Sequence, residues 1–376
     1  MIKKVEATIG TNLITIETGK LAKQASGSVL VRSGDTMVLV TAVGDKVNKP
    51  ELGFLPLTIE VQEKMASVGR IPGNYFRREI GRPSENEVLT CRIIDRPMRP
   101  LFADGYCAET QVIASVLSAD QENVPDMLAL TGTSCALMLS DIPFGGPVAG
   151  GRVGYIDGNF VMNPTVEELE ESAMDIVVAC TEKAVVMVEG QAESLAEETI
   201  LDAIFYAFEN LQPLIEVQKE LQAACGKKKR DVEPPQIDEE LYSRIADCAK
   251  AEMGDVIATA DKLERGGKYD ELKAKVNAEI DPEGERTREI SDLLSKFRKT
   301  SMRAKIVNES VRIDGRAFDQ VRPISSEAGY LTRAHGSALF TRGETQALVS
   351  ATLGSERDQQ RVETLGGEEH KRFMLH

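Results

Sequence analysis

The stretch ETGKLAKQASGSVLVRSGDTMVLVTA, residues 17–42, recurs later in the chain as EAGYLTRAHGSALFTRGETQALVSA, residues 327–351. In both copies alternating apolar residues flank a turn, at Gly34 and Gly343, which is typical of two strands joined by a tight connection. Any two hairpins share such features, so chance similarity is the alternative. Because the match runs through both strands and the turn, we favour an internal duplication.

The two copies are followed by different lengths of chain. If the first occupies about residues 1–210, the second begins near residue 310 and has only the remainder of the 376 residues. A sheet that lacked most of its partner segments would expose apolar strand surface and a free edge. We therefore expect the chain to be one part of a larger protein.

Helix and strand patterns predict an α+β domain followed by helices. Ser84 and Glu87 form a predicted capping box for a helix that ends near Arg96, before Pro97, and a wholly apolar helix begins near Pro125. After a second capping box at Ser194, Pro213 is expected to open a further helix. The basic stretch at residues 227–236 is predicted to be a loop, and residues 238–308 to be short amphipathic helices.

Charge and composition restrict the classes of function. Forty-five Lys and Arg against 60 Asp and Glu give a net charge of −15, so any RNA site must be a local basic patch. No apolar run is long enough to span a bilayer, and we expect a cytoplasmic protein without a membrane partner. The six cysteines show neither zinc-site nor disulfide spacing, and no metal ligands are expected in this chain.

The densest group of candidate functional residues lies in IPGNYFRREIGRPSENEVLTCRIIDRPMRPLF, residues 71–102. Tyr75 and Phe76 offer flat faces on which bases stack, and Arg77 and Arg78 follow them directly with guanidinium groups that bind phosphate. This combination predicts a grip on single-stranded RNA that is independent of base sequence.

Further arginines lie on the helix that follows. Arg92 and Arg96 are four residues apart, so both project from one face and suit adjacent phosphates of an RNA backbone. Arg82 and Arg99 are weaker candidates for the same role. The alternative is a solvated ion-pair network with the neighbouring acidic residues Glu79, Glu85, Glu87 and Asp95.

At these residues the sequence resembles bacterial polynucleotide phosphorylases. That family carries an aromatic–aromatic–Arg–Arg loop, then GRPSE, then R-x-x-D-R-P-x-R-P-L-F, which match residues 75–78, 81–85 and 92–102. Further matches are IPFGGPVAG at 142–150, RIDGR at 312–316 and HGSALFTRGETQAL at 335–348. The sequence departs from the pattern in having Tyr75 where many members have Phe, and in the extra Ile80.

The resemblance implies the architecture and the partners. It implies a first ribonuclease PH-like α+β domain at residues 1–210, an all-helical domain at 211–308, and a truncated second ribonuclease PH-like domain at 309–376. It also implies a homotrimeric ring around a channel for single-stranded RNA, with other RNA-degradation proteins as further candidate partners.

The resemblance also implies roles for the candidate residues. Tyr75, Phe76, Arg77 and Arg78 would form the constriction of the channel, and Arg92 with Arg96 would hold the 3′-terminal phosphates. His376 coincides with a family position near the active site and is a weak catalytic candidate.

The implied reaction is phosphorolysis of RNA. Inorganic phosphate attacks the last phosphodiester and releases a nucleoside diphosphate, reversibly, with Mg²⁺ as cofactor. In the family the phosphate-holding serines and metal-binding aspartates lie beyond the position of His376, so we expect this chain to be inactive alone. The alternatives are a non-catalytic module for RNA binding and oligomerisation, and a hydrolytic nuclease, for which no carboxylate cluster is apparent.

Overall fold

The computed structural model describes residues 2–72, 82–234 and 236–376. These residues form two compact bodies: the chain before residue 236 together with Gln360–His376, and Gln236–Gln359. The strands are β1 Lys3–Ile9, β2 Asn12–Thr18, β3 Gly27–Ser33, β4 Thr36–Gly44, β5 Leu57–Glu63, β6 Thr110–Ser118, β7 Ala149–Ile156, β8 Asn159–Met162, β9 Met174–Cys180, β10 Val185–Ala192, β11 Ile324–Ala328, β12 Gly336–Arg342, β13 Thr345–Ala351, β14 Gln360–Thr364 and β15 Gly367–Lys371. The helices are α1 Glu85–Met98, α2 Asp126–Leu139, α3 Val166–Glu170, α4 Glu197–Cys225, α5 Glu239–Ala258, α6 Lys262–Ile280 and α7 Thr287–Glu309.

The first body contains two main sheets around one apolar core. One has the strand order β1-β2-β3-β4-β6-β5, and only β5 and β6 run parallel. The other has the order β10-β9-β7-β8 and is antiparallel throughout. Helix α2 packs against β3 and β4 of the first sheet and against β7 of the second, and the predicted α+β fold is confirmed.

Helix α2 is the central layer of this body. All fourteen of its residues are buried, as its apolar sequence predicts. It lies so close to β3 that a methyl group at Gly27 would overlap the carbonyl oxygen of Ala136. A methyl group at Gly132 would likewise lie only 2.7 Å from Cγ2 of Val40. Glycine at these two positions therefore permits the contact between helix and sheet.

The predicted start of α1 is confirmed, its predicted end before Pro97 is wrong, and the predicted start of α4 is wrong in its capping. The capping box of Ser84 and Glu87 is present, although α1 continues through Pro97 to Met98. The predicted box at Ser194 is absent, since α4 begins at Glu197 after Ala196 without a side-chain cap. Pro213 lies inside α4 rather than opening a new helix, because burial of both flanking turns against the sheets outweighs the lost hydrogen bond. The expected domain boundary at residue 210 falls within this helix and stays a prediction.

The basic stretch after α4, residues 227–234, contacts other parts of the first body. The Nζ of Lys229 donates to the carbonyls of Leu137, Met138 and Ser140 at 2.7, 3.0 and 2.9 Å, at the end of α2 where carbonyls lack helical partners. Burial lowers the pKa of the Lys229 ammonium to about 8, so it remains charged at neutral pH. Arg230 forms an ion pair with Asp141, and its Nε donates to Oδ2 at 2.9 Å.

The second body contains three helices and one small sheet. Helices α5, α6 and α7 pack on each other through a core of eleven buried apolar residues, among them Ile245, Val276 and Leu294. The sheet has the order β11-β12-β13. Within the described ranges, none of the helices is both long and apolar enough to cross a membrane.

The two copies of the repeated stretch form hairpins with the same register, and the internal duplication stays a prediction. Gly27 pairs with Ala42 and Ser33 with Thr36 in the first copy, and Gly336 pairs with Ala351 and Arg342 with Thr345 in the second. The turn glycines Gly34 and Gly343 have φ of +58° and +61°, a conformation that L side chains adopt rarely. The face buried in the first copy is exposed in the second: Val31 is 0% exposed, and its counterpart Phe340 is 39% exposed.

Equivalent glycines in the two copies should tolerate alanine differently. Gly27→Ala is expected to lower the free energy of unfolding by about 3 kcal/mol, because the added methyl overlaps the backbone of α2. Gly336→Ala is the matched control: its methyl would lie 3.5 Å from Cβ of Ala351, an ordinary contact, and stability should change little. Chemical denaturation of both variants measures this. Equal losses would contradict the assignment of the constraint to α2.

Asp120 connects the turn between β3 and β4 to the loop after β6. Its carboxylate accepts hydrogen bonds from the backbone N–H groups of Asp35, Glu122 and Asn123, the hydroxyl of Thr36 and the side-chain amide of Asn123. Partial burial by itself would raise the pKa of Asp120, but the bonds from Asn123, Glu122 and Thr36 outweigh it and hold the pKa well below its ordinary value.

Replacement of Asp120 should therefore destabilise the protein in a pH-dependent way. Asp120→Asn is expected to lower the free energy of unfolding at pH 7 by about 1–3 kcal/mol. Because the folded pKa is depressed, the contribution of the carboxylate is complete above its unfolded pKa near ~4 and is lost as the pH falls through the folded value. The difference from the wild type should thus shrink on acidification in denaturation curves. Asp35→Asn, at a side chain 80% exposed, is the control and should have little effect.

Candidate functional site

A cavity of about 1170 Å³ lies in the first body, between α1, β5 and the hairpin of β14 and β15. One wall of the cavity is the first turn of α1, which is held in place by hydrogen bonds. The hydroxyl of Ser84 accepts from the N–H of Glu87 at 3.1 Å, and the carboxylate of Glu87 accepts from the N–H of Ser84 at 2.6 Å. Glu87 also accepts from the N–H of Glu63 at 2.8 Å, so the start of α1 is attached to the end of β5.

The hairpin of β14 and β15 contributes the other side of the cavity. Leu365, at its turn, is 9% exposed and belongs to the apolar core of the first body. Lys371 forms an ion pair with Glu85 in the first turn of α1. This contact, and more weakly the charge of His376, lowers the pKa of the Glu85 carboxyl. His376, the weak catalytic candidate, is exposed.

The charged residues that line the cavity in the described part of the chain are balanced in number. Its basic lining residues are Lys64, Arg82, Arg92, Arg361 and Lys371, and its acidic ones are Glu60, Glu63, Glu85, Glu87 and Glu363. Burial raises the pKa of the Glu63 carboxyl, against a hydrogen bond from Asn86. A balance of this kind does not attract a polyanion by net charge. What matters is which cations are free to bind a ligand.

Among the described residues that line the cavity, Arg82 and Arg92 are exposed arginines without an ion pair. Lys371 is paired with Glu85, and Arg361 is paired with Glu368 at 2.7 Å. Arg82 and Arg92 are exposed, and neither forms an ion pair with any residue in the described ranges. Both guanidinium groups can thus reach a phosphate without breaking an internal contact.

The other arginines predicted to bind RNA have partners in the protein. Arg96 forms an ion pair with Glu189 on β10. Arg99 binds Asp95 through two hydrogen bonds of 2.9 and 2.7 Å and also donates to the carbonyls of Leu55 and Leu57. Tyr75, Phe76, Arg77 and Arg78 lie outside the described residues, as does Glu79. Their predicted roles stay predictions.

The ion-pair network that was the alternative accounts for only part of the group. Asp95 is used by Arg99, Glu85 by Lys371, and Glu87 by backbone N–H groups. These three carboxylates are therefore not available to Arg82 or Arg92. Lys371 and Arg361, which the sequence interpretation did not single out, enter the site from more than 250 residues further along the chain, and no local pattern marks them.

No metal site is found among the described residues. They contain no group of three His, Cys, Asp or Glu side chains close enough to hold an ion. Cys91, beside the cavity, accepts the N–H of Val61 at 3.2 Å, and burial raises the pKa of its thiol, so it is suited to packing rather than to nucleophilic chemistry.

Three family models match the chain. The 3′ exoribonuclease family, domain 1, matches residues 12–143 and 320–375, which include both copies of the duplicated stretch. Domain 2 of the same family matches residues 146–210, and the polyribonucleotide nucleotidyltransferase RNA-binding domain matches residues 240–317. The chain therefore belongs to the 3′ exoribonuclease family.

Within that family the chain is similar to named bacterial proteins. It is 66% identical over 377 residues to the polyribonucleotide nucleotidyltransferase of Desulfotalea psychrophila, a match that covers 100% of this chain and 54% of the relative. The protein of the same name from Geotalea uraniireducens is 50% identical, with 100% and 54% covered. The chain thus spans about half the length of these relatives. The solved structure of rice Rrp46 is 16% identical, with a TM-score of 0.43, and aligns with 59% of this chain and 94% of its own.

Arg92 and Arg99 should differ in their effect on stability. Arg99→Gln is expected to lower the free energy of unfolding by about 1–2 kcal/mol, because it leaves Asp95 and two carbonyls without their donor. Arg92→Gln removes no internal contact among the described residues and should change stability by less than about 0.5 kcal/mol. Thermal and chemical denaturation of the two variants provide the measurement. A destabilising Arg92→Gln would show that this side chain has a structural partner.

Proposed function

We propose that this chain is the RNA-gripping portion of a 3′-to-5′ phosphorolytic exoribonuclease, a polyribonucleotide nucleotidyltransferase. The observation that carries the proposal is the cavity in which Arg82 and Arg92 are exposed and form no ion pair with any described residue. Membership of the 3′ exoribonuclease family and the names of the relatives support the reaction class. The substrate would be the backbone of single-stranded RNA.

In the proposed reaction an oxygen of inorganic phosphate attacks the phosphorus of the 3′-terminal phosphodiester. The bond to the 3′ oxygen of the preceding nucleotide breaks, and that oxygen takes up a proton. The products are a nucleoside 5′-diphosphate and an RNA one nucleotide shorter, and the reverse reaction extends the RNA. Arg82 and Arg92 would bind non-bridging phosphate oxygens and offset their charge while the terminal linkage is held in place.

Several parts of the proposal concern the whole protein. Arg96, Arg99 and residues 75–78 are proposed as further contacts along the RNA, and His376 as a weak candidate near the reacting end. Bound Mg²⁺ would supply charge neutralisation, but the described residues offer no ligand set that fits it. Its ligands are therefore proposed to lie elsewhere in the protein. A homotrimer, the domain boundaries at 210 and 308, and action in the cytoplasm beside other RNA-degradation proteins belong to the same proposal.

A second candidate function is a module that binds RNA and oligomerises without turnover. The match of residues 240–317 to the RNA-binding domain model favours it, since holding RNA needs no reaction. The two candidates share the RNA site and differ in the product.

The RNA site can be tested by replacing the two free arginines together. Arg82→Gln with Arg92→Gln is expected to weaken binding of a homopolymeric single-stranded RNA about tenfold, a loss of about 1.4 kcal/mol. Lys20→Gln with Lys23→Gln removes the same charge from exposed positions of the first body that do not line the cavity, and serves as the control. Fluorescence anisotropy at fixed salt measures both. Equal binding by the two double variants would refute the assignment of the cavity to RNA.

The reaction is tested separately by its products. This chain alone, with RNA, phosphate and magnesium, should retain RNA without releasing nucleoside diphosphates. The two substitutions at the matching positions of the Desulfotalea psychrophila relative should slow its phosphate-dependent release of diphosphates. Release of monophosphates without phosphate would instead indicate a hydrolytic nuclease.

A further inference from the structure

The helical module carries a second basic surface, which none of the predicted site residues includes. Helix α7 contains KFRKTSMRAK at Lys296–Lys305, with five basic residues and no acidic one. The whole module, Gln236–Glu309, has 17 Asp and Glu against 14 Lys and Arg. Positive charge is therefore concentrated on one segment of an otherwise acidic module.

Three of these cations lie on one face of α7. Lys296, Lys299 and Arg303 are spaced by three and four residues, so they lie within about 60° of one another around the helix axis and span about 10 Å along it. All three are exposed. We call this set the α7 basic face. The apolar face of the helix, with Ile290, Leu294 and the partly buried Phe297, points to the module core on roughly the opposite side.

The cations of the α7 basic face have no carboxylate partners among the described residues. Lys299 and Arg303 form no ion pair there, and Lys296 lies over the ring of Tyr242 at 5.4 Å from its centroid. By contrast, Lys268 and Lys275 on α6 are paired with Glu264 and Glu252. Cations without a carboxylate partner attract an anionic ligand more strongly than cations that are already paired.

The basic stretch after α4 shows that a charge run is not sufficient for such a surface. Lys229 and Arg230 are engaged with the end of α2 and with Asp141. A solvated helix face is the ordinary explanation for exposed lysines, but it does not explain why acidic residues are missing from Lys296–Lys305 alone. The module is also the segment that matches the RNA-binding domain model.

We propose that the α7 basic face binds the sugar–phosphate backbone of single-stranded RNA as a second contact, separate from the cavity at Arg82 and Arg92. This inference rests on the proposed function, since it assigns a further surface to the same substrate. The recognition would use phosphate charge alone and would be independent of base sequence. An exposed ammonium or guanidinium group at each position suits that role.

Salt dependence of binding tests the proposal. The triple variant Lys296→Gln, Lys299→Gln, Arg303→Gln of the full chain is expected to bind a single-stranded homopolymeric RNA at least fivefold more weakly at low salt. The slope of log K against log salt concentration should fall by about 2, because each contact with a single strand contributes about 0.7. Fluorescence anisotropy over a series of KCl concentrations measures the affinity and the slope.

A matched triple variant controls for net charge. Arg244→Gln, Lys250→Gln, Lys262→Gln removes three exposed charges from the same module on α5 and α6, and its slope should stay close to that of the wild type. Equal slopes for the two triple variants would overturn the proposal. Competition by poly-glutamate that is as strong as competition by RNA of equal charge would also overturn it, because it would indicate an acidic protein partner. Circular dichroism of both variants confirms that the module is folded.

Failure here is distinguishable from failure of the proposed function. If the α7 variant binds like its control while the Arg82 and Arg92 variant still loses affinity, the second contact is refuted and the cavity assignment stands. If neither variant loses affinity, both are refuted.

Discussion

The close approach of α2 to the strands β3 and β4 is the constraint on which the rest of the first body depends. Gly27 and Gly132 remove the side chains that would keep helix and sheet apart. The second sheet is attached to the same helix by hydrogen bonds. The hydroxyl of Thr131 accepts from the N–H of Gly150 on β7 at 3.2 Å, and that of Ser134 accepts from the N–H of Val148, the residue before β7, at 2.7 Å. Arg152 on β7 adds a largely buried ion pair with Asp126 in the first turn of α2. Because α2 contacts both sheets, it fixes the frame that carries α1 and the cavity.

The features that the sequence predicted correctly are those set by neighbouring residues. A capping box needs only Ser84 and Glu87, and a duplicated hairpin needs only its alternation and its turn glycines. Prediction failed where distant contacts decide the conformation. Pro213 is tolerated inside α4 because the buried residues on both sides of it pack against the sheets. Ser194 adopts φ of +53°, outside helix geometry, and Ala196 takes the cap position instead.

In the candidate site, too, the sequence predicted local features and did not predict those that depend on distant contacts. Residue type and spacing identify the group of arginines, but they do not show which members are free. Arg99 is bound by Asp95 and two carbonyls of the segment before β5 and at its start, and Arg96 by a carboxylate on β10. Only the folded structure shows that Arg92 has no such partner in the part of the chain that it describes. The arginines that can bind a ligand are those that form no ion pair within the protein. Which arginines these are depends on tertiary contacts.

The two copies of the repeated hairpin have the same register but different neighbours. Gly27 is enclosed by the backbone of a helix, whereas Gly336, at the same place in the register, has open surroundings in the described part of the chain. An alanine at position 27 would overlap the backbone of α2, whereas an alanine at position 336 would meet only Cβ of Ala351. The hairpin register alone therefore does not decide whether glycine is required, and within the described residues the helix packed on the first hairpin decides it.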